Sequence, residues 1–156
     1  MSEAYEEILD GLPTLRAPPG ERHERICQRL HARVAASLVA FPAAQLLACR
    51  TRIQLTAQTT IRPDLAVITR ANAKLWLAAE VINPADHHTD TVIKKALYEE
   101  IRPARLWMID PRYDNVEVYH ATPYGLALQN ILAGSESLTE ALWPSFEIPI
   151  RELFAP

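Results

Sequence analysis

The sequence predicts a single α/β domain built on a mixed β-sheet. Three features of the chain support this: a long amphipathic helix near the N-terminus, short apolar runs that follow one another closely, and a second helix before the later strands. The connections between the early strands are too short for parallel crossovers, so a fully parallel sheet is not expected. With 156 residues, the chain has the length of one domain, residues 1–156.

The first helix is predicted after the break at residues 18–20 and ends before Pro42. One face repeats apolar side chains at four-residue intervals, namely Ile26, Leu30, Val34 and Leu38. Another face carries Arg22, Arg25, Arg29 and Arg33.

Strands and a second helix are predicted from the apolar runs and the turn residues between them. Thr89 or Asp90 can cap the second helix, which runs to about Ile101. The strand candidates are Leu46–Leu55, Asp64–Thr69, Leu75–Ile82, Leu106–Ile109, Val116–His120 and Tyr124–Leu132. The remaining C-terminal residues are expected to pack against the sheet.

Composition excludes several classes of protein. No apolar run is long enough for a membrane span, and the acidic N-terminus is unlike a signal peptide, so a cytoplasmic protein is expected. Cys27 and Cys49 have no metal-ligand spacing, and we expect both to be reduced thiols in the core. With only four glycines there is no phosphate-binding loop, which disfavours a nucleotide cofactor.

The charge distribution leaves two interpretations open. A pI near 5.9 argues against tight non-specific binding to DNA. Residues 16–62, however, carry eight arginines against two glutamates. This segment could contact a phosphate backbone, or it could be an ordinary solvated helix face.

Two carboxylates at apolar strands indicate a metal site. Asp64 begins the run LAVI, and Glu80 lies inside LWLAAEVI, 16 positions later. That separation suits two antiparallel neighbouring strands, and a buried carboxylate needs compensation. Mg²⁺ or Mn²⁺ binds such carboxylates together with water and substrate phosphate oxygens.

Lys94, on the second helix, could reach the same site and orient an attacking water. Tyr98 follows it by four residues, shares its helix face and could hold it in place. The same residues are equally consistent with a buried ion pair that binds no metal.

Two more polar residues are candidates for supporting roles. Glu7 could bring a third carboxylate from the N-terminal segment, although a solvated surface position is the common outcome. His23 and the pair His87–His88 have a spacing that matches no compact zinc module, and the cysteines do not join them.

The ordered set RPDLAVI, AEVINP, Asp90…Lys94…Tyr98, LWMIDP and VEVYH resembles the Uma2 family of restriction-endonuclease-like proteins in the PD-(D/E)XK nuclease superfamily. The N-terminal EILDG, the PPGERH segment and the C-terminal ELF extend this resemblance over nearly the whole chain.

The resemblance implies an αβββαβ core with additional C-terminal strands and Mg²⁺-dependent DNA hydrolysis. Asp64 matches the aspartate of the first motif and Glu80 the acid of the second. The usual lysine would fall at Ile82, and Lys94 matches the helix lysine that replaces it in this family. Glu7 and His23 match a recurrent acidic position and a recurrent histidine.

The chain departs from the family pattern at two places. Asn83-Pro84 stands where the family has Ser-Pro, and the stretch Ile101–Trp107 lacks the family's glycine and glutamate, with Arg105 in place of the latter. Neither change removes a metal ligand.

We therefore expect a Mg²⁺-dependent endonuclease-like hydrolase acting on DNA. Asp64 and Glu80 would bind the metal with help from the backbone carbonyl of Val81, and Lys94 would position the water. The alternative is a nuclease fold without activity that binds DNA or protein. A homodimer formed through exposed aromatic residues (Trp76, Trp107 and Trp143) is compatible with both.

Overall fold

Twelve β-strands and three α-helices form the chain in this computed structural model, which describes residues 2–156. The strands are β1 (Tyr5–Leu9), β2 (Leu12–Arg16), β3 (Ala44–Leu46), β4 (Ile53–Thr56), β5 (Thr59–Ile61), β6 (Leu65–Thr69), β7 (Leu75–Val81), β8 (Arg105–Asp110), β9 (Asn115–Thr122), β10 (Gly125–Ala133), β11 (Ser137–Thr139) and β12 (Glu147–Pro149). The helices are α1 (Glu21–Leu38), α2 (Lys95–Ile101) and α3 (Ile150–Leu153), with a 3₁₀ turn at Pro84–Asp86 and a π-helical segment at Thr89–Lys94.

A six-stranded sheet organises the domain, in the order β10-β9-β8-β7-β6-β3. Its β7–β8 pair is parallel, whereas its other neighbouring pairs are antiparallel. The parallel pair needs a long crossover, and that connection carries the 3₁₀ turn, the π-helical segment and α2. The predicted mixed sheet and α/β class are confirmed.

The N-terminal residues form a hairpin that the sequence analysis did not predict. Strands β1 and β2 pair around Asp10 and Gly11, whose φ angles of 52° and 81° are those of a tight hairpin turn. This hairpin joins β5 and β4 in a second sheet, of order β2-β1-β5-β4. Glu7 therefore lies on a strand.

The strand predicted at Leu46–Leu55 is wrong. Residues 44–46 belong to the six-stranded sheet, and residues 53–56 belong to the N-terminal sheet. A turn with Arg50 at φ 56° separates them. A strand needs extended backbone, so a single strand cannot continue through Arg50 in the left-handed region.

The core lies on both faces of the six-stranded sheet. The apolar face of α1 packs on one side, where Ile26, Leu30, Val34 and Leu38 are buried as predicted. Tyr98 of α2 helps to cover the other side. Trp107 and Trp143 are buried and Trp76 packs on Trp143, so the three tryptophans do not form the exposed aromatic surface proposed for a dimer.

The arginines of α1 mainly hold other parts of the protein. Arg22 pairs with Asp114, and Arg25 pairs with Glu21. Arg29 donates to carbonyl groups of residues 152–156, and Arg33 binds the Glu147 carbonyl and Glu152. These contacts agree with the interpretation of this arginine face as an ordinary surface of the helix. Within residues 2–156, no helix is long and apolar enough to span a membrane.

Candidate active site

Strands β6 and β7 bring Asp64 and Glu80 to the same end of the sheet. Leu65 pairs with Ala79, so the antiparallel register continued by one step sets Asp64 opposite Glu80. Asp64 Oδ2 accepts a hydrogen bond from the Val81 N–H at 2.8 Å. Both carboxylates are almost fully buried, at 2% and 1% exposure.

Glu80 has two close partners from the crossover connection. Lys94 Nζ lies 2.5 Å from Glu80 Oε1, and the Tyr98 hydroxyl donates to the same oxygen at 2.6 Å. Lys94 Nζ also lies 2.9 Å from Glu7 Oε2. Lys94 Nζ is thus held between two buried carboxylates, those of Glu80 and Glu7. Tyr98 supports Glu80 directly rather than Lys94.

A second cation, Arg16 of β2, ties the hairpin to this centre. Its guanidinium pairs with Glu7 and lies 2.5 Å from Asp90 Oδ1 and 3.3 Å from Asp86 Oδ2. The Asp90 carboxylate also accepts from the Asn83 N–H at 3.1 Å. Asp90 is therefore a buried member of the ion-pair network and not a helix cap as predicted.

Asp90 and Lys94 both lie in the π-helical segment and both face the site. The i→i+5 hydrogen bonds of this segment widen one turn of the helix, and both side chains are buried while Val92 and Ile93 are exposed. Such π turns are rare and often occur at functional sites. A regular helix was predicted here.

His23 connects helix α1 to the two strands. Its Nε2 lies 2.8 Å from the Val81 carbonyl oxygen and 3.5 Å from Asp64 Oδ2. Both partners are acceptors, so Nε2 carries a proton. Arg50 donates to the other oxygen of Asp64 at 3.2 Å and pairs with Glu24.

Burial and mutual repulsion set the ionisation of the carboxylates. Burial, together with the nearby Asp64, Glu7 and Asp90, raises the pKa of Glu80 to about 8 against the opposing effect of Lys94. Burial also disfavours charge on Asp64, but His23, Arg50 and Lys94 outweigh it and lower that pKa. The four inner carboxylates, Glu7, Asp64, Glu80 and Asp90, are paired with Lys94, Arg16, Arg50 and His23.

Burial lowers the pKa of His23, but its hydrogen bond and charge interaction with Asp64 outweigh this effect, so the net pKa is raised. The imidazolium form is thereby favoured beside Asp64. Burial raises the pKa of Glu7 as well, but Lys94, the Arg62 N–H and Arg16 bring it below its usual value. Glu7 thus acts as the anionic partner of two cations.

The geometry brings one histidine and one cysteine together, contrary to the sequence analysis. Ligand atoms of His23, Cys27 and Asp64 all lie within 4.8 Å of one another, and no other such trio of His, Cys, Asp or Glu occurs in residues 2–156. The Arg50 guanidinium, 3.5 Å from His23 Nδ1, opposes a cation there. Cys49 also differs from expectation, because it is exposed.

All seven predicted site residues meet in one network: Glu7, His23, Asp64, Glu80, Val81, Lys94 and Tyr98. Arg16 and Arg50 were not predicted, since no local pattern marks an arginine that will be buried. Asp90 could have been predicted, because it lies four residues before Lys94 and so shares its helix face.

Comparisons with known proteins identify the family and the fold. A family model named Uma2, described as "Putative restriction endonuclease", matches residues 2–151. The chain belongs to the Uma2 family. A crystal structure at 15% identity, with a TM-score of 0.79, is a "putative nuclease" of DUF820 from Anabaena variabilis ATCC 29413, and the match covers 96% of this Uma2 chain and 89% of that one. That similarity shows a nuclease-type fold. No match was found among curated proteins.

Proposed function

We propose that this Uma2 protein is a Mg²⁺- or Mn²⁺-dependent endonuclease that hydrolyses phosphodiester bonds in DNA. The observation that carries the proposal is the buried pair Asp64 and Glu80 with the Lys94 ammonium 2.5 Å from Glu80. Membership of a family described as restriction endonucleases supports a nucleic-acid substrate.

The donor chemistry fits a divalent cation. Carboxylate and carbonyl oxygens are hard ligands of the kind that Mg²⁺ and Mn²⁺ prefer. Burial and the nearby carboxylates raise the pKa of Glu80, and a bound cation would favour its ionised form. Asp64 and Glu80 would hold the ion. The Val81 carbonyl, which accepts from His23, has a second lone pair for it.

The residues around the metal would have separate roles. When bound, the ion would polarise the phosphate and stabilise the charge that develops on it. Lys94, an ammonium next to Glu80, would orient the attacking water for in-line attack on phosphorus. Glu7 and Arg16 would hold Lys94 and the hairpin in position, and Tyr98 would orient Glu80.

An open cleft of about 480 Å³ leads towards the site. His23 lines it and also contacts Asp64 and the Val81 carbonyl. Arg22 and Arg112 line the same cleft together with Glu21, and the two arginines could contact a phosphate backbone. The DNA strand would enter here.

Metal titration tests this proposal. Mn²⁺ and Mg²⁺ are added to the wild type and to Glu80→Gln, with calorimetry and melting temperature as readouts. Only the wild type should bind, and stabilisation should reach about 2.7 kcal/mol when free metal exceeds Kd by about 100-fold. Glu100→Gln removes an exposed carboxylate and should behave as wild type.

Cleavage of supercoiled plasmid and branched DNA is then assayed with Asp64→Asn, Glu80→Gln and Lys94→Met. All three should lose activity while remaining folded by circular dichroism. Full metal-dependent cleavage by either carboxylate variant would contradict the assignment.

A catalytically degenerate module is the second candidate. The closed ion-pair network favours it, because Lys94, Glu80, Glu7 and Asp64 are nearly inaccessible to solvent. This candidate requires no metal binding by the wild type, no cleavage, and retained binding of DNA or of a protein partner.

A further inference from the structure

A polar pocket lies at the carboxyl ends of β7 and β8, on the side of the sheet that α2 covers. Its volume is about 410 Å³, within the range of about 300–1,000 Å³ that is typical of small-ligand sites. Ile82, Met108 and Tyr119 line it and are buried, so its inner wall is apolar. Tyr113 also lines it and is 70% exposed, which places this ring at the outer edge.

The pocket adjoins the cleft that leads to the candidate active site. Ile82 and Arg112 line both cavities. The Arg112 side chain donates to the two carboxylate oxygens of Asp110 at 2.8 and 3.0 Å, and this bidentate contact holds it between the two cavities. A strand with one phosphate in the cleft can therefore place a neighbouring nucleotide in the pocket.

Three side chains of the pocket match the three parts of a nucleotide. The exposed Tyr113 ring offers a flat surface on which a base can stack. Glu117 accepts from the Tyr119 hydroxyl through Oε2, and its Oε1 remains an acceptor for the edge of a base. Lys95 Nζ lies 4.7 Å from the centre of the Tyr119 ring, a cation–π contact that leaves ammonium N–H groups for a phosphate.

We infer that this pocket binds one unpaired nucleotide of a DNA strand, an inference that rests on the proposed function for the identity of the substrate. A base inside a duplex is paired and stacked on both faces, so it cannot enter a concave site without leaving the helix. The preferred substrate is therefore single-stranded or branched DNA, with the unpaired nucleotide next to the phosphate in the cleft.

The carboxylate of Glu117 selects among the bases. Adenine, cytosine and guanine carry an exocyclic amino group that can donate to it. Thymine presents only a carbonyl oxygen at the corresponding position of its ring, which a carboxylate repels. Cytosine and thymine are of nearly equal size, so a comparison of these two bases isolates the effect of the amino group.

Binding of oligo(dC) and oligo(dT) of equal length tests this inference, by fluorescence anisotropy with the full-length protein and a chelator at neutral pH. The wild type should bind oligo(dC) at least about fivefold more tightly than oligo(dT). In Glu117→Gln the amide can donate to thymine as well as accept from cytosine, so the ratio of affinities should fall to about one. Glu100→Gln, an exposed control on α2, should keep the ratio of the wild type.

Tyr113→Ala provides a second variant, which should fold normally because the side chain is largely exposed. Loss of stacking should weaken the binding of both oligonucleotides by about fivefold or more. Equal affinity of the wild type for the two oligonucleotides, a ratio unchanged in Glu117→Gln, or no binding of either would overturn the inference. Free dCMP that binds as tightly as oligo(dC) would also overturn it, because the pocket would then be a mononucleotide site.

These measurements use neither a divalent metal nor cleavage, so they are independent of the tests of the nuclease. A protein that shows the expected ratio but neither binds Mn²⁺ nor cuts DNA would keep this pocket and lose the proposed activity. A metal-dependent nuclease without the ratio would keep the activity and lose the pocket.

Discussion

Glu80 lies among three other buried carboxylates, Glu7, Asp64 and Asp90, and its pKa is raised to about 8. The unfolded chain releases this proton near pH 4.3. Between these values the folded state holds a proton that the unfolded state has lost, so stability falls as pH rises from about 4.3 to about 8. Above pH 8 this contribution is constant.

Glu80→Gln should remove that pH dependence. In the presence of a chelator, we expect the variant to match the wild type near pH 4 and to exceed it by about 1–3 kcal/mol above pH 8. Urea unfolding of both proteins across this pH range measures the difference between their free energies of unfolding. Contributions that the two proteins share, such as that of His23, cancel in this difference. Glu100→Gln should show no such trend. A variant much less stable than the wild type at pH 8 would mean that Glu80 is an ionised partner of Lys94.

A site residue can be predicted from the sequence when its charge is out of place among the apolar residues around it. Glu80 inside an apolar strand is such a conflict, and Asp64 at the start of another is a weaker one. Arg16 and Arg50 present no conflict, because arginines in polar segments are normally solvated. Their burial depends on contacts more than 10 residues away in the chain, with Asp90 and Asp64.

Among the helices and strands, too, some could be predicted from the sequence and others could not. The apolar face of α1 and the core strands β6 and β7 follow from periodicity, and the structure confirms them. The hairpin β1–β2 was missed because its strands are largely exposed and their alternation is short. The π-helical segment could not be predicted, because the apolar periodicity of this stretch is the same as that expected of a regular helix.

Arg16 joins two of these elements, the hairpin and the π-helical segment. Replacing it by methionine leaves Glu7 and Asp90 buried without their guanidinium, so we expect Arg16→Met to lose about 3–5 kcal/mol. The shift in urea midpoint measures this loss. Arg25→Gln, which removes an exposed ion pair with Glu21, is the matched control and should cost at most about 0.5 kcal/mol. Equal effects of the two substitutions would show that the buried network does not stabilise the fold.

For the molecule as a whole, the order of apolar runs and the short connections between them predicted the class of fold and the mixed sheet. The distribution of charge on the folded protein could not be predicted in this way. Eight arginines in residues 16–62 suggested a surface for DNA. Every one except Arg52 contacts another part of the chain within the described residues, through ion pairs or carbonyl groups. Within the described residues, these arginines therefore do not form a basic face that is free of intramolecular contacts, and the net charge of the chain is −3.

This distribution predicts which arginines matter if the protein binds DNA as proposed. Arg22 lines the cleft beside His23, whereas Arg33 lies farther along α1 and holds the Glu147 carbonyl and Glu152. Arg22→Gln should weaken binding of a duplex oligonucleotide and reduce the slope of log K against log salt by about 1. Arg33→Gln should leave the slope unchanged and cost about 0.2–1 kcal/mol of stability. Fluorescence anisotropy at several salt concentrations measures both. Equal loss of slope in the two variants would move the DNA surface from the cleft to the whole arginine face of α1.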